Sequence, residues 1–273
     1  SAALVDSPFD FDGDGKTDVG VFRNGTWYML GSTAGFTSRS FGQTGDIPVP
    51  ADFDGDGSAD VAVYRAGTWY ILNTAGFTAK QHGVATDAPV PADYDGDGKA
   101  DAAVFRPSAN TWYISNSGGG TTITGFGAAG DLPVPADYDG DGKADVGIYR
   151  PGPGQWWIQR STAGLLAVQF GQTGDRTVAG DYTGDGKADI AYFRPSTGNW
   201  TILRSEDLSF YAFPFGTTGD VPSPGDYDGD GKTDAAIFRP STSTWYAQRS
   251  TAGTLIQAFG QAGDLAVPNA YVR

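Results

Sequence analysis

Apolar residues in this chain are gathered in short runs, and none of the runs has the length or the spacing of a helix. One run of six residues recurs with an apolar, often aromatic middle and an arginine at its end: DVGVFR, DVAVYR, DAAVFR, DVGIYR, DIAYFR and DAAIFR. A turn signal follows each run, and β-branched and aromatic residues bounded by turns are typical of strands. With 41 glycines, 16 prolines and 13% aromatic residues, the pattern predicts an all-β protein.

An acidic stretch of nine residues divides the chain into six similar units. Its copies are DFDGDGKTD, DFDGDGSAD, DYDGDGKAD twice, DYTGDGKAD and DYDGDGKTD, and they begin 41 to 45 residues apart. Each unit then carries one tryptophan at a fixed place, FG or once HG, and GD. We predict four strands per unit: PVPAD or its equivalent, the run ending in arginine, the run around tryptophan, and the stretch before FG. Such a period is typical of repeat proteins, so residues 1–273 are taken as a single propeller domain.

Prolines in the first strand of each unit predict how the strands are arranged. Pro48 and Pro50 point their missing N–H groups to the same side of the strand, so that side cannot pair with a neighbour. A strand with one neighbour fits the inner edge of a propeller blade. We therefore predict a six-bladed β-propeller of four-stranded antiparallel blades. Seven blades, or a solenoid of parallel strands, are the alternatives.

The acidic stretches predict metal sites. Each offers carboxylates at positions 1, 3, 5 and 9, a sharp turn at the glycine of position 6 and a backbone carbonyl at position 7, and hard oxygen ligands of this kind suit calcium. Position 12 is apolar and lies in a strand, which excludes an EF-hand. The alternative is a solvated acidic turn that binds nothing, but this does not explain six copies in register.

We expect about six structural calcium ions, held by loops at about residues 10–18, 52–60, 93–101, 137–145, 181–189 and 226–234. The candidate ligands are Asp10, Asp12, Asp14, Lys16, Asp18, Asp52, Asp54, Asp56, Ser58, Asp60, Asp93, Asp95, Asp97, Lys99, Asp101, Asp137, Asp139, Asp141, Lys143, Asp145, Asp181, Thr183, Asp185, Lys187, Asp189, Asp226, Asp228, Asp230, Lys232 and Asp234. Lysine and serine at position 7 would contribute their carbonyls. Thr183 keeps an oxygen but loses a charge at position 3, so the fifth site is expected to be the weakest or to hold an extra water.

The net charge is consistent with this interpretation. Six divalent ions would bring the formal charge from −14 to about −2, so most of the acidity is accounted for as metal ligand. The arginines are spread along the units and form no basic patch. The sequence therefore argues against a nucleic-acid partner.

The order FG, then GD and PVPAD, then DxDxDGxxD closely resembles the FG-GAP repeats, also called VCBS repeats, of integrin α-subunit propellers, bacterial surface proteins and some fungal lectins. The resemblance extends from about Phe9 to Ala270. It implies a calcium-stabilised propeller, with the metal loop between the first and second strands of each blade, in extracellular proteins that adhere or bind glycans. Integrin propellers have seven blades, whereas six complete units are present here.

Side chains that recur once per unit are expected to be structural. The tryptophans could stack on sugars, but their fixed mid-strand place favours packing between blades. The arginines are expected to anchor the GD carboxylates or turn carbonyls. These residues are Trp27, Trp69, Trp112, Trp156, Trp200 and Trp245, and Arg23, Arg65, Arg106, Arg150, Arg194 and Arg239. A ligand site should instead lie where units differ, as in the turn before tryptophan, SNSGGGTT or SEDLSFYAF.

Few residues have the uniqueness that catalysis needs. His82 is the only histidine and replaces the phenylalanine of FG, so a packed ring is expected. Glu206 and Asp207 are the best pair for acid and base chemistry but are expected to be solvated loop charges. We therefore predict that the protein is not an enzyme, and a polysaccharide-active enzyme is the less favoured alternative.

The last residues repeat the beginning of a unit and then stop. FGQAGDLAVPNAYVR carries FG, GD and a first strand but no acidic stretch, and nine residues precede Asp10. An open propeller would expose two sheet edges. We predict that residues from about Leu265 to Tyr271 complete the first blade and close the ring.

The expected compartment is extracellular, secreted or at the cell surface, since the chain has no cysteine, one methionine and no apolar run that spans a membrane. We expect a monomeric, calcium-stabilised binding or adhesion module whose ligand is a glycan or another cell-surface molecule. It should bind no nucleic acid and insert into no membrane. The alternative is a purely structural propeller that is part of a larger secreted protein or enzyme.

Overall fold

The computed structural model describes residues 9–267, which form six antiparallel sheets of four strands each. The first blade contains β1 (Val19–Arg23), β2 (Thr26–Gly31) and β3 (Gly35–Ser40), and the second contains β4 (Ile47–Pro48), β5 (Val61–Arg65), β6 (Thr68–Asn73) and β7 (Gly76–Gln81). The third contains β8 (Ala88–Pro89), β9 (Ala102–Arg106), β10 (Thr111–Ser115) and β11 (Thr121–Gly125), and the fourth contains β12 (Leu132–Pro133), β13 (Val146–Arg150), β14 (Gln155–Arg160) and β15 (Gly164–Gln169). The fifth contains β16 (Arg176–Thr177), β17 (Ile190–Arg194), β18 (Asn199–Leu203) and β19 (Phe210–Pro214), and the sixth contains β20 (Val221–Pro222), β21 (Ala235–Arg239), β22 (Thr244–Arg249) and β23 (Gly253–Ala258); β24 (Leu265–Ala266) follows.

The six blades confirm the predicted propeller. Strands that are consecutive in the sequence pair antiparallel within a blade, so the solenoid of parallel strands is excluded. The count of sheets over residues 9–267 likewise excludes a seventh blade there. In the same residues no helix is long and apolar enough to cross a membrane.

The proline-containing strand is short and lies at one edge of its blade, as predicted. In β4, Ile47 and Pro48 pair with Tyr64 and Val63 of β5, and β4 has no second neighbour. The pairing continues beyond the strand, where the Val49 amide donates to the Ala62 carbonyl at 2.8 Å. The missing proline N–H groups therefore cost the blade no hydrogen bond between its strands.

The last strand closes the ring. Leu265 and Ala266 of β24 pair antiparallel with Phe22 and Val21 of β1, and the Val267 amide donates to the Gly20 carbonyl at 3.0 Å. The first blade is thus built from both ends of the chain. This confirms the predicted closure for residues 265–267, while residues 268–271 of the predicted strand lie outside the described residues.

Within residues 9–267 the core consists of six clusters, and each fills the space between two neighbouring blades. In one of them Trp27 packs with Phe22 of its own blade and with Val61 and Val63 of the next blade. The tryptophan nitrogen donates to the Phe41 carbonyl at 2.8 Å. The six equivalent tryptophans are at most 1% exposed, so their predicted role in the core is confirmed. A sugar ring could not stack on them.

An ion pair between a partly exposed arginine and a buried aspartate joins the first two strands of every blade. Arg65 donates from Nε and Nη2 to the two oxygens of Asp46 at 2.6 Å each, and the arginine also lies over the ring of Tyr70 at 4.6 Å. Equivalent pairs are Arg23–Asp264, Arg106–Asp87, Arg150–Asp131, Arg194–Asp175 and Arg239–Asp220. The predicted anchoring of the GD carboxylates is confirmed, and the Arg23–Asp264 pair also ties the two ends of the ring.

The acidic loops lie between the first and second strands of their blades and contact one another. The amide at position 8 of each loop donates to the carbonyl at position 1 of the preceding loop. These bonds run from Ala59 to Asp10, Ala100 to Asp52, Ala144 to Asp93, Ala188 to Asp137, Thr233 to Asp181 and Thr17 to Asp226, at 2.5–2.7 Å. The last bond returns to the first loop, so the six loops form a closed ring of hydrogen bonds.

Deletion of residues 263–273 should open the ring, because it removes β24, Val267 and the partner of Arg23. We expect the free energy of unfolding to fall by more than about 3 kcal/mol, since burial of one valine side chain alone contributes about 1.5–3 kcal/mol. Urea denaturation and gel filtration would measure the loss of stability and of soluble monomer. The matched control is deletion of residues 1–5, and equal melting of the two truncated proteins would contradict the closure.

Candidate metal centre

Position 1 of each acidic loop folds the loop around its own carboxylate. In the first loop, Asp10 accepts hydrogen bonds from the amides of Gly13 and Asp14 at Oδ1 and from the amide of Gly15 at Oδ2, at 2.7, 3.2 and 2.7 Å. Gly13 and Gly15 have φ angles of 74° and 84°, which glycine adopts without steric cost. The glycines therefore permit the turn that brings the later ligands back toward Asp10.

Position 9 is a buried aspartate that links the loop to the turn between the third and fourth strands of its blade. Asp18 is 1% exposed and accepts from the amides of Ser32 and Phe11 at 2.7 and 2.8 Å. Burial raises its pKa to about 7, and the charges of Asp12 and Asp10 act in the same direction. Burial likewise raises the pKa to about 7 for Asp60 and Asp234, and to about 6 for Asp145 and Asp189.

Position 3 carries a buried carboxylate oxygen that a cation could satisfy. Asp12 Oδ2 accepts from the amides of Thr33 and Ala34 at 3.0 and 2.7 Å, but its Oδ1 is buried and has no hydrogen-bond partner. The same unpaired oxygen occurs in Asp54, Asp139 and Asp228. A buried carboxylate oxygen without a donor is costly, and a cation would satisfy it.

Carboxylates from different positions of the loop converge at five of the six loops, with ligand oxygens within 4.8 Å of one another. The groups are Asp10, Asp12 and Asp18; Asp52, Asp54 and Asp60; Asp93, Asp95 and Asp101; Asp137, Asp139 and Asp145; and Asp226, Asp228 and Asp230. Oxygens that each lie about 2.4 Å from one calcium ion can be at most about 4.8 Å apart. The five clusters could therefore hold metal ions.

The other predicted ligands are placed as follows. Position 5 joins the cluster in the sixth loop, whereas in the first loop Asp14 accepts from the Lys16 amide at 3.0 Å and from the hydroxyls of Ser32 and Thr33. Ligation by position 5 of the remaining loops and by the position 7 carbonyls stays a prediction. At the fifth loop the structure forms no cluster of three carboxylates within residues 9–267, because Thr183 replaces the aspartate of position 3.

The turn between the third and fourth strands is a part of the site that the sequence reasoning missed. Its serine donates to positions 9 and 5, as Ser161 does to Asp145 at 2.7 Å and to Asp141. The next residue, Thr162, donates its amide and hydroxyl to Asp139 at 2.9 and 2.8 Å. The signal was present in the sequence, since STAG recurs in the first, fourth and sixth units and NTAG in the second.

The unique acidic pair and the only histidine lie where the sequence reasoning expected them. Glu206 and Asp207 are exposed in the turn between β18 and β19. His82 occupies the FG position: its carbonyl accepts from Trp69 Nε1 at 3.0 Å, and its Nε2 lies 3.0 Å from the Tyr113 carbonyl. The histidine ring is therefore a packing element between the second and third blades.

A groove of about 620 Å³ lies between the third and fourth blades. The seventh tryptophan, Trp157, is half-buried and lines it together with Phe126 and Leu165, while Arg150 and Asn110 supply polar groups. Trp157 stands at the place that holds tyrosine in the first, second, third and sixth blades. The groove is therefore a site of variation between units, of the kind that the sequence reasoning sought.

Comparison with solved structures finds several chains of similar fold. A lectin from Agrocybe aegerita, described as recognising non-reducing terminal N-acetylglucosamine, matches with a TM-score of 0.60 and 19% identity over 95% of this chain and 78% of that chain. Virginiamycin B lyase from Staphylococcus aureus matches with a TM-score of 0.53 and 9% identity over 93% and 87% of the two chains. A protein of unknown function from Bacteroides caccae matches with a TM-score of 0.59 and 11% identity over 89% and 96%. At these identities the similarity shows the fold alone.

Sequence comparison identifies the repeat itself. No curated protein sequence matches the chain. A sequence model of the FG-GAP-like repeat matches residues 10–63, 93–148, 137–192 and 181–237, which together are more than half of the chain. With six blades, their acidic loops and the FG and GD positions in place, the chain belongs to the FG-GAP-like repeat family.

Proposed function

We propose that this protein is an extracellular, calcium-stabilised propeller that binds carbohydrate. The observation that carries the proposal is the groove beside Trp157. Six tryptophans are sealed between blades, whereas the seventh presents part of its ring to a groove with polar groups at its side. An aromatic face next to polar groups is the arrangement that suits a sugar ring, which has one apolar face and hydroxyls around its edge.

The blades differ around this groove. At three other junctions an aromatic residue at the start of the outer strand packs on the FG phenylalanine of the preceding blade, as in the pairs Phe77–Phe41, Phe210–Phe170 and Phe36–Phe259, with ring centroids 6.1–6.2 Å apart. Leu165 occupies that place in the fourth blade, and it lines the groove with Phe126. A leucine covers less of the neighbouring ring than a phenylalanine does, which leaves space for a ligand.

Arg150 gives the groove a fixed polar group. Its guanidinium is held by Asp131 through two hydrogen bonds of 2.8 Å, and it lies 5.9 Å from the Trp157 ring centroid. The arginine side chain nevertheless remains 33% exposed. A pre-positioned donor beside an aromatic face can bind a hydroxyl at little cost in side-chain entropy.

The calcium part of the proposal rests on the unpaired oxygens of position 3. Positions 1, 3 and 9 of the first four loops, and positions 1, 3 and 5 of the sixth, would hold the ions. The ion would supply positive charge that lets buried, crowded carboxylates stay ionised. The loop residues themselves fix the ligand geometry through the turn at position 1 and the STAG hydroxyls.

Removal of calcium should lower the thermal stability strongly. One site at a free calcium concentration 100 times its Kd contributes about 2.7 kcal/mol, and about 1 kcal/mol shifts the Tm of a chain this size by about 2–4 °C. We therefore expect a decrease of more than about 10 °C in chelator, measured by calorimetry, with recovery when calcium is restored. Chelator already saturated with calcium is the control, and an unchanged Tm would contradict the metal sites.

A glycan screen in calcium should identify a ligand, and titration with that ligand should change the fluorescence of Trp157. Replacement Trp157→Ala should weaken binding by at least about tenfold, since hot-spot aromatics contribute about 2 kcal/mol or more. The matched control is Tyr246→Ala, at the same strand position of the sixth blade. Absence of glycan binding, or equal binding by both variants, would contradict the carbohydrate proposal while leaving the calcium sites in place.

A further inference from the structure

One residue at the end of the third strand in each blade faces the position 9 aspartate across the strand pair. In the second blade, Val61 pairs with Leu72, so Asp60 and Asn73, the next residues along the two strands, lie opposite each other. Side chains of opposed residues lie on the same face of a sheet, with Cβ atoms about 4.5–5.5 Å apart. We call this place at the end of the third strand the facing position.

The residue at the facing position differs between blades, although the register is the same in all six blades of residues 9–267. The six residues are Gly31, Asn73, Asn116, Arg160, Arg204 and Arg249. The facing position is therefore a point at which otherwise repeated metal loops have different surroundings.

The first and second blades show that the facing position also adjoins position 3 of the loop. A Cβ atom placed on Gly31 would overlap Oδ2 of Asp12 and lie 3.1 Å from its carboxyl carbon. In the second blade, the amide of Thr74, which follows Asn73, donates to Oδ2 of Asp54 at 3.1 Å. A side chain at the facing position thus lies beside two of the three carboxylates that converge in these loops, those of positions 3 and 9.

The second and third blades carry asparagine at the facing position, and its side-chain oxygen is buried. Oδ1 of Asn73 and Oδ1 of Asn116 accept no hydrogen bond from any of the described residues. Oδ1 of Asp54, at position 3 of the second loop, is likewise buried without a partner among them. Leaving buried oxygens unpaired is costly, and one cation between them would satisfy both the amide oxygen and the carboxylate oxygen.

Arginine occupies the facing position in the fourth, fifth and sixth blades, and a guanidinium has no acceptor atom to offer a cation. Arg160 instead donates to the carbonyls of Ala163 and Gly164 at 2.8 and 3.1 Å. Arg249 makes the equivalent bonds in the sixth blade, at 2.7 and 3.0 Å. These two arginines hold the turn between the third and fourth strands, whereas asparagine at the same place keeps an oxygen beside the loop.

We propose that Asn73 and Asn116 each provide an amide oxygen as a further ligand of the second and third metal sites. The proposal rests on the calcium sites proposed above and adds a ligand from outside the acidic loops. Calcium binds about six to eight oxygens, amide carbonyls among them, so three carboxylates that bind through one oxygen each leave room for another ligand. The amide is neutral, so it adds to the coordination without adding to the repulsion between the aspartates.

Equilibrium dialysis with radioactive calcium, carried out on the whole chain, tests the ligand role of the two asparagines. In the double variant Asn73→Ala, Asn116→Ala, the Kd of two ions should rise at least about tenfold, and the other sites should keep their affinity. Asn199→Ala is the matched control. Asn199 is also a half-buried asparagine of a third strand, but it pairs with Arg194 at the end of the blade remote from the loop, so calcium binding should be unchanged.

Thermal melting in calcium and in chelator separates a ligand from a side chain that stabilises the turn by itself. The double variant should melt below the wild type in calcium, because two sites then bind more weakly. In chelator it should melt no lower than the wild type, since the substitutions remove two buried oxygens that have no partner within residues 9–267. An equal decrease of Tm in both solutions would show a purely structural role and would overturn the proposal.

The dialysis also distinguishes failure of this inference from failure of the proposed function. A wild type that binds no calcium would overturn both. A wild type that binds calcium, together with a double variant whose Kd values are all unchanged, would overturn the role of the asparagines alone. An equal loss of affinity in Asn199→Ala would do the same, because the effect would then not depend on the facing position.

Discussion

The closed ring of hydrogen bonds between the acidic loops is the constraint on which the rest of the molecule depends. Each loop donates through position 8 to the carbonyl at position 1 of the preceding loop, and the Thr17–Asp226 bond completes the circle. This contact sets the spacing of the blades at the loops. It also brings six loops with 23 aspartates into mutual contact. Their negative charges therefore lie close together and repel one another. Cations bound in the loops would turn this repulsion into attraction.

The remaining interactions stabilise either the contact between neighbouring blades or the pairing of strands within one blade. Tryptophans hold neighbouring blades together through six separate clusters, whereas the arginine–aspartate pairs hold the first two strands of one blade. Both sets are repeated with little change, so they explain stability but provide no specificity. Function is expected where the repetition is interrupted. Trp157 in the fourth blade is one such interruption.

Much of the fold could be predicted from the sequence because each unit states the same pattern again. Because the same pattern occurs six times, its meaning could be inferred by comparing the copies. The strands, the edge position of Pro48 and the closing role of Leu265 were all predicted in this way. The clusters of positions 1, 3 and 9 also agree with the spacing of the aspartates. Contacts between distant segments were harder to predict. The hydrogen bond from Thr33 to Asp12 joins residues that are 21 positions apart, and no pattern in the neighbouring sequence indicates it.

The central claim is that the acidic loops are cation sites which hold the ring together. Anomalous diffraction from a crystal grown in calcium tests it most directly, because it locates each ion independently of its effect on stability. The account predicts one peak in each of the five loops whose carboxylates converge, with carboxylate oxygens of the loop at about 2.3–2.6 Å from the ion. Loops of unchanged shape without anomalous peaks would contradict it and would leave the aspartates as solvated turns.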